Sequence, residues 1–217
     1  MEAMLAQLVL VTAGLALLLL LGLHVASPEF DPGWRMISEY ALGRHNGLLL
    51  AFFLAWGCSS LLLSALLWQE VSSGWGKLGV GFLLLSAVGE FMGGVFNLKH
   101  RLHGLAFGLG VPSLPVAALL IGHHLAGRAG WSAHEHTIIL ASHATWVSVV
   151  LMAVAMAVMF AGFRKAGIAM GPDAQAPERV PPGVLALGGY ANRVLVLCSV
   201  GWLMLMAWVF LSTRQIS

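Results

Sequence analysis

At 217 residues, with 59% hydrophobic and only 9% charged residues, the chain has a mean hydropathy of +0.88, far outside the range of soluble domains. A net charge of +2, scattered along the sequence, excludes nucleic acid as a partner and a polybasic membrane anchor, and two cysteines inside apolar runs make no disulfide framework. What remains is an all-α integral membrane protein.

About 20 apolar residues are needed to cross roughly 30 Å of hydrocarbon. Six stretches qualify, at about 5–23, 47–68, 78–98, 103–122, 137–163 and 184–211, and they predict one six-helix membrane domain over 1–217. The first lacks a basic segment ahead of it and reads as a retained helix, not a signal peptide. Between the first two spans, Pro28, Pro32 and Gly33 break the helix, while Phe30, Trp34, Met36 and Ile37 give residues 28–44 an apolar side. This segment should lie along the membrane interface. The third span contains Glu90; the fourth contains Pro112 and Pro115, which predict a bend; the sixth carries Asn192 and Arg193 in its first half. Before it, "GIAMGPDAQAPERVPPG" (167–183) has the composition of a mobile loop.

Six spans place both termini and two of the loops on one face, and the other three loops on the opposite face, here face A. Face A carries Arg35, Arg44, Lys99, Arg101, Arg164, Lys165 and Arg179, against Lys77, Arg128 and Arg214 on face B, so the positive-inside rule makes face A cytoplasmic. Polar residues gather there too: His24, Asp31, Ser38, Glu39, Arg44, His45, Asn97, His100, Arg101 and His103. Glu90, Gly94, Asn97 and Arg101 recur at helical spacing and form one stripe leading to that face. An ionisable residue at this depth faces the bundle interior, either as a structural tie or as part of a site. Arg193 enters from face A to a similar depth, so an intramembrane Glu90–Arg193 ion pair, supplemented by His143, is the simplest satisfied arrangement.

The histidines of "HHLAGRAGWSAHEH" (His123, His124, His134, His136) and "HRLH" (His100, His103) match no helical zinc signature, and no metal ligands are assigned. Haem would require axial histidines at matching depth, for which His45 and His103 are the nearest pair. The cofactor is left unknown.

Three stretches, "DPGWRMISEYALGRHNGLLLAFFLAWG", "GGVFNLKHRLHGLAFGLGVPSLPVAALLI" and "GYANRVLVLCSVGWLMLMAWVF", resemble the prokaryotic six-span family known as domain of unknown function nine-nine-eight. Ile37, Ser38 and Glu39 match its first-loop Ile-Ser-Glu element, His103 and Gly104 its fourth-span opening, and Arg193 its basic residue in the last span. Asn97 stands where the family usually has Asp. The first loop is also similar to that of the Frag, DRAM and Sfk membrane proteins. That likeness implies an external face A, opposite to the charge count. The resemblance implies an inner (plasma) membrane protein of a prokaryote.

These residues compose an expected face A site. Glu39, His103 and His45 are the candidates for acid–base catalysis, and Ser38, Arg44, Asn97, Glu90 and Arg193 are the candidates for binding substrate. The expected function is a membrane-embedded enzyme or binding protein for an apolar or amphiphilic molecule of the lipid or isoprenoid class. It predicts a cavity lined by Trp and Phe and capped by polar groups. The alternatives are a non-catalytic subunit or assembly factor of an oligomer or larger membrane complex, which needs no cavity, and a proton-coupled transporter, which needs a polar path to face B.

Overall fold

The computed structural model describes residues 1–169 and 177–215. Six helices are long and apolar enough to cross a membrane: α1 (Glu2–Ala26), α2 (Asn46–Glu70), α3 (Gly74–Val95), α4 (His103–Ala126), α5 (Glu135–Lys165) and α6 (Gly188–Gln215). Two short 3-10 turns, Ile37–Leu42 and Ser132–His134, complete the secondary structure of the described residues. The protein is an all-α integral membrane protein.

The helices form a closed ring in chain order, each packed on its neighbours, with α6 returning to α1 and also touching α2 and α4. Their outer surfaces are as apolar as the interior: Val11, Leu18, Leu21, Trp75, Leu140 and Val154 are exposed, as side chains meeting lipid should be. On α5 the buried residues Ile138, Ser142, Thr145, Met152, Met159 and Phe163 fall on one stripe, so the rest of that helix faces outward. On face B, Arg214 of α6 bonds Glu70 of α2 at 2.8 Å and Glu2 of α1 at 3.4 Å. Both ends of the chain therefore lie on one side, as an even number of spans requires.

Several helix ends differ from expectation, and two of the differences matter for the site. α3 stops at Val95, because Phe96 is extended (φ −100°, ψ 109°) and the Asn97 side chain accepts the Lys99 N–H at 3.0 Å, closing a turn. Asn97 and Arg101 thus leave the Glu90 stripe. α6 begins at Gly188, after Pro181, Pro182 and a Gly183 with φ of +78°, a left-handed conformation that ordinary side chains rarely adopt. The proline pair of α4 sits within one uninterrupted helix.

Residues 28–44 fold back onto the helix ends. Trp34, Ile37 and Tyr40 are buried, and Trp34 meets Phe163 of α5 edge-on at 6.1 Å. The expected mobile loop lies partly outside the described residues, at 170–176. Its flanks are packed: Ile168 and Val180 join Val184 and Ala186 against Trp34, Met159 and Phe163.

Candidate functional site

The first loop is sewn to the start of α6 by a cluster centred on Arg193, which is buried. Its Nε–H donates to His24 Nε2 of α1 at 2.9 Å, one terminal nitrogen donates to the carbonyls of Arg35 at 2.5 Å and Gly189 at 3.0 Å, and the other donates to the Tyr40 hydroxyl at 3.3 Å. His24 Nδ1 lies 2.5 Å from the Leu20 carbonyl, so the ring proton belongs there and Nε2 is left to accept. The loop reaches Arg193 because Gly189 has no side chain: a Cβ there would stand 2.5 Å from the Pro32 oxygen and 2.7 Å from the Trp34 nitrogen. Asn192 adds to the seam, its Oδ1 accepting the Ile37 N–H at 3.0 Å and its amide reaching Met152 Sδ at 3.5 Å.

Glu39 is consumed by the same loop. Its Oε1 accepts the Met36 N–H at 2.8 Å, capping the 3-10 turn, and its Oε2 pairs with Arg35 at 2.7 Å. Arg35 lies over the Trp34 ring at 4.2 Å and also donates to the Pro177 carbonyl. Both carboxylate oxygens of Glu39 thus have structural partners.

Beneath the loop is a cavity of about 90 Å³. A water molecule takes roughly 10–15 Å³ of such room, so several water molecules or a short run of an apolar chain can enter. Phe52, Phe53 and Trp56 of α2 and Phe107 of α4 supply aromatic walls, and Leu195 and Val196 of α6 close the far side. Its polar lining is Ser38, Glu90, His103, Asn192 and Ser199.

Glu90 is 4% exposed. Its Oε1 lies 2.9 Å from the Ser86 hydroxyl, which is also 3.1 Å from the Gly110 carbonyl of α4, so one hydroxyl proton stands between two acceptors. Its Oε2 accepts no short hydrogen bond. The Ser60 hydroxyl of α2 stands beside this carboxyl as a second donor to it, at longer range than Ser86, while the indole N–H of Trp56 has no hydrogen bond. Ser60 and Ser86 thus bring α2 and α3 hydroxyls to one buried carboxyl, where an unpaired polar atom would be costly.

The expected Glu90–Arg193 ion pair is not formed. α3 and α6 stand on opposite sides of the ring with the cavity between them, Arg193 turns to α1 and the first loop, and Glu90 turns to α2 and α4. His143 does not supplement Glu90 either: its Nδ1 accepts the Trp146 indole N–H at 2.8 Å and its ring meets His123 at 5.6 Å, on α5.

Of the other candidates, Ser38 and His103 line the cavity. His103 Nδ1 is 2.9 Å from the Phe96 carbonyl, which puts its proton there and leaves Nε2 as an acceptor with no partner among the described residues. His45 precedes α2 without a side-chain capping bond and lies 3.3 Å from the Ser27 hydroxyl, outside the cavity lining, so it does not pair with His103 as a haem site would need. Arg44 and Asn97 are exposed. Among the described residues, no group of three His, Cys, Asp or Glu is arranged to hold a metal ion. Trp56, Ser60 and Ser86 had drawn no attention in the sequence, because a Trp or Ser within an apolar run reads as packing; only the four-residue steps 56–60 and 86–90 would have placed them beside Glu90.

A family model described as Protein of unknown function (DUF998) matches residues 10–209, and the chain belongs to that family. Comparison with curated proteins and with solved structures gives no match.

Proposed function

For this member of the DUF998 family, we propose a membrane-embedded enzyme or binding protein for an apolar or amphiphilic small molecule of the lipid or isoprenoid class, working in the inner membrane of a prokaryotic cell. One observation carries the reading: an aromatic-walled cavity with a buried carboxyl, Glu90, in its lining. Arg193 spends its donors on protein partners and lines no part of the cavity, as a purely structural group would. Ligand sites are instead largely apolar with a few placed polar groups, which describes this lining. Within it His103, with a free Nε2, has the chemistry to exchange a proton with a bound molecule. Glu39, Arg193 and Asn192 hold the roof of the cavity in place.

The test is retention of a ligand. Protein purified in a mild detergent from cell membranes should carry about one equivalent of an apolar molecule by native mass spectrometry. Val111→Trp, which fills the cavity from α4, should lose it while keeping its helical content. A wild-type protein that retains nothing, and takes up nothing from a membrane lipid extract, would sink the proposal.

A further inference from the structure

Resting on that ligand-binding reading, we infer that the cavity is loaded from the membrane: a lipid of the face A leaflet enters sideways, between the first half of α4 and the second half of α5, past the ring of Phe107.

The opening lies where α5 stops covering α4. Gly104, Gly108, Val111, Pro115, Ala118 and Gly122 recur at steps of four and three residues and so share one side of α4. Toward face B that side is packed: Pro115 and Ala118 are buried, and a Cβ on Gly122 would run into the Ser142 side chain of α5. Toward face A it is bare. Gly104 and Gly108 are exposed, and a Cβ on either would meet nothing within 4 Å. In this half α5 is drawn to α6 and the first loop instead: Met152 takes the Asn192 amide, Met159 crowds Gly188, and Phe163 packs on Trp34.

Phe107 joins the bare strip to the cavity. It belongs to the cavity lining and is nevertheless 49% exposed, more than any other described residue of that lining. The roof, by contrast, is sewn down: Ile37 and Tyr40 are buried, and the Ile37 N–H is held by Asn192. Because the strip runs along a helix that crosses the membrane, lipid chains are its solvent. Two missing side chains leave a shallow groove in which an acyl or prenyl chain can lie. Such a chain has only the Phe107 ring to displace, and a ring swings between staggered rotamers without moving the backbone.

Exchange of tritiated farnesol between vesicles and the reconstituted protein tests the route. Gly104→Trp and Gly108→Trp fill the strip from outside the lining, where open space receives the new side chain. Each should slow uptake and release alike, by about tenfold or more, while equilibrium affinity stays within about twofold. Phe107→Ala should speed both directions. Leu105→Trp, on the lipid-exposed side of α4 away from the strip, should change neither. Wild-type exchange rates in both glycine variants would overturn the side entrance and leave the ligand-binding reading standing, and so would a Phe107→Ala protein that exchanges no faster. A wild type that takes up no farnesol would count against the ligand-binding reading itself, and the entrance would fall with it.

Discussion

Arg193 of α6 and His24 of α1, 169 residues apart, are joined by an Nε to Nε2 hydrogen bond of 2.9 Å, and the same guanidinium gathers Tyr40 and the Arg35 carbonyl from the first loop. The arrangement uses the planar fork of arginine in several directions at once. Lysine has one point of charge on a flexible stem and cannot reproduce it. Arg193→Lys should therefore lower stability by more than about 2 kcal/mol, and Arg193→Met by about 3–5 kcal/mol, since each vacated partner is a buried polar group. Melting temperatures in one detergent measure both. An Arg193→Lys protein as stable as the wild type would mean that charge alone matters at this position.

Glu39 makes a milder prediction. It closes a capping box with Met36 and pairs with Arg35, so Glu39→Ala should cost about 1–2 kcal/mol, and Glu39→Gln, which keeps an oxygen for the Met36 N–H, less. Glu39 does not itself line the cavity but caps Met36, which does, so any loss of ligand affinity should accompany the fall in melting temperature. A large loss of affinity with unchanged melting would restore Glu39 to the site.

The contrast between these two residues explains what could be read from the sequence. Six apolar runs and the polar character of one face follow from composition and periodicity, and the helices lie where those runs are. Glu90 stood out because an ionisable residue in an apolar run needs a reason. Its partner did not follow, because depth along a helix says nothing of which helices are neighbours, and the ring puts α3 opposite α6. Half of the bonds of Arg193 go to backbone carbonyls, of Arg35 and Gly189, and backbone atoms carry no mark in a sequence. Glu39 is ambiguous in the sequence for the same reason: a polar residue in a loop at a membrane edge can be chemistry or a cap, and only geometry separates the two.

The shared face of the termini can be tested directly. Lys99 lies between α3 and α4, and Arg128 between α4 and α5, so the two are separated by one span and must lie on opposite sides of the membrane. In a background with Cys58 and Cys198 replaced by serine, Lys99→Cys and Arg128→Cys should differ in labelling by a membrane-impermeant maleimide: one reacts in intact cells, the other only after lysis. Whichever reacts first also fixes the orientation, and so decides between the charge count and the family likeness. Labelling of both from the same side would overturn the six-span layout.

The tightest helix contact in the ring gives the most asymmetric prediction. Gly89 of α3 and Gly110 of α4 face each other, but their missing side chains point differently. A Cβ on Gly89 would collide with the Gly110 backbone nitrogen, stand 2.5 Å from its Cα and 2.9 Å from the Ala106 oxygen, all atoms of main chain that cannot swing aside. A Cβ on Gly110 would meet the Gly89 carbonyl carbon at 3.4 Å and the Glu90 nitrogen at 3.6 Å, ordinary van der Waals contact. Small residues allow helices to approach closely in membranes, where packing rather than hydrophobic burial drives association, so separating α3 from α4 forfeits contacts along both helices. Gly89→Ala should therefore destabilise by about 3 kcal/mol, at the upper end of overpacking costs, whereas Gly110→Ala should be close to neutral. The first change would also draw the Ser86 hydroxyl away from the Gly110 carbonyl and alter the setting of Glu90, so it should weaken ligand binding as well. Thermal melts of the two alanine variants side by side decide the matter. Equal losses, or a loss confined to Gly110→Ala, would contradict the packing described for these helices.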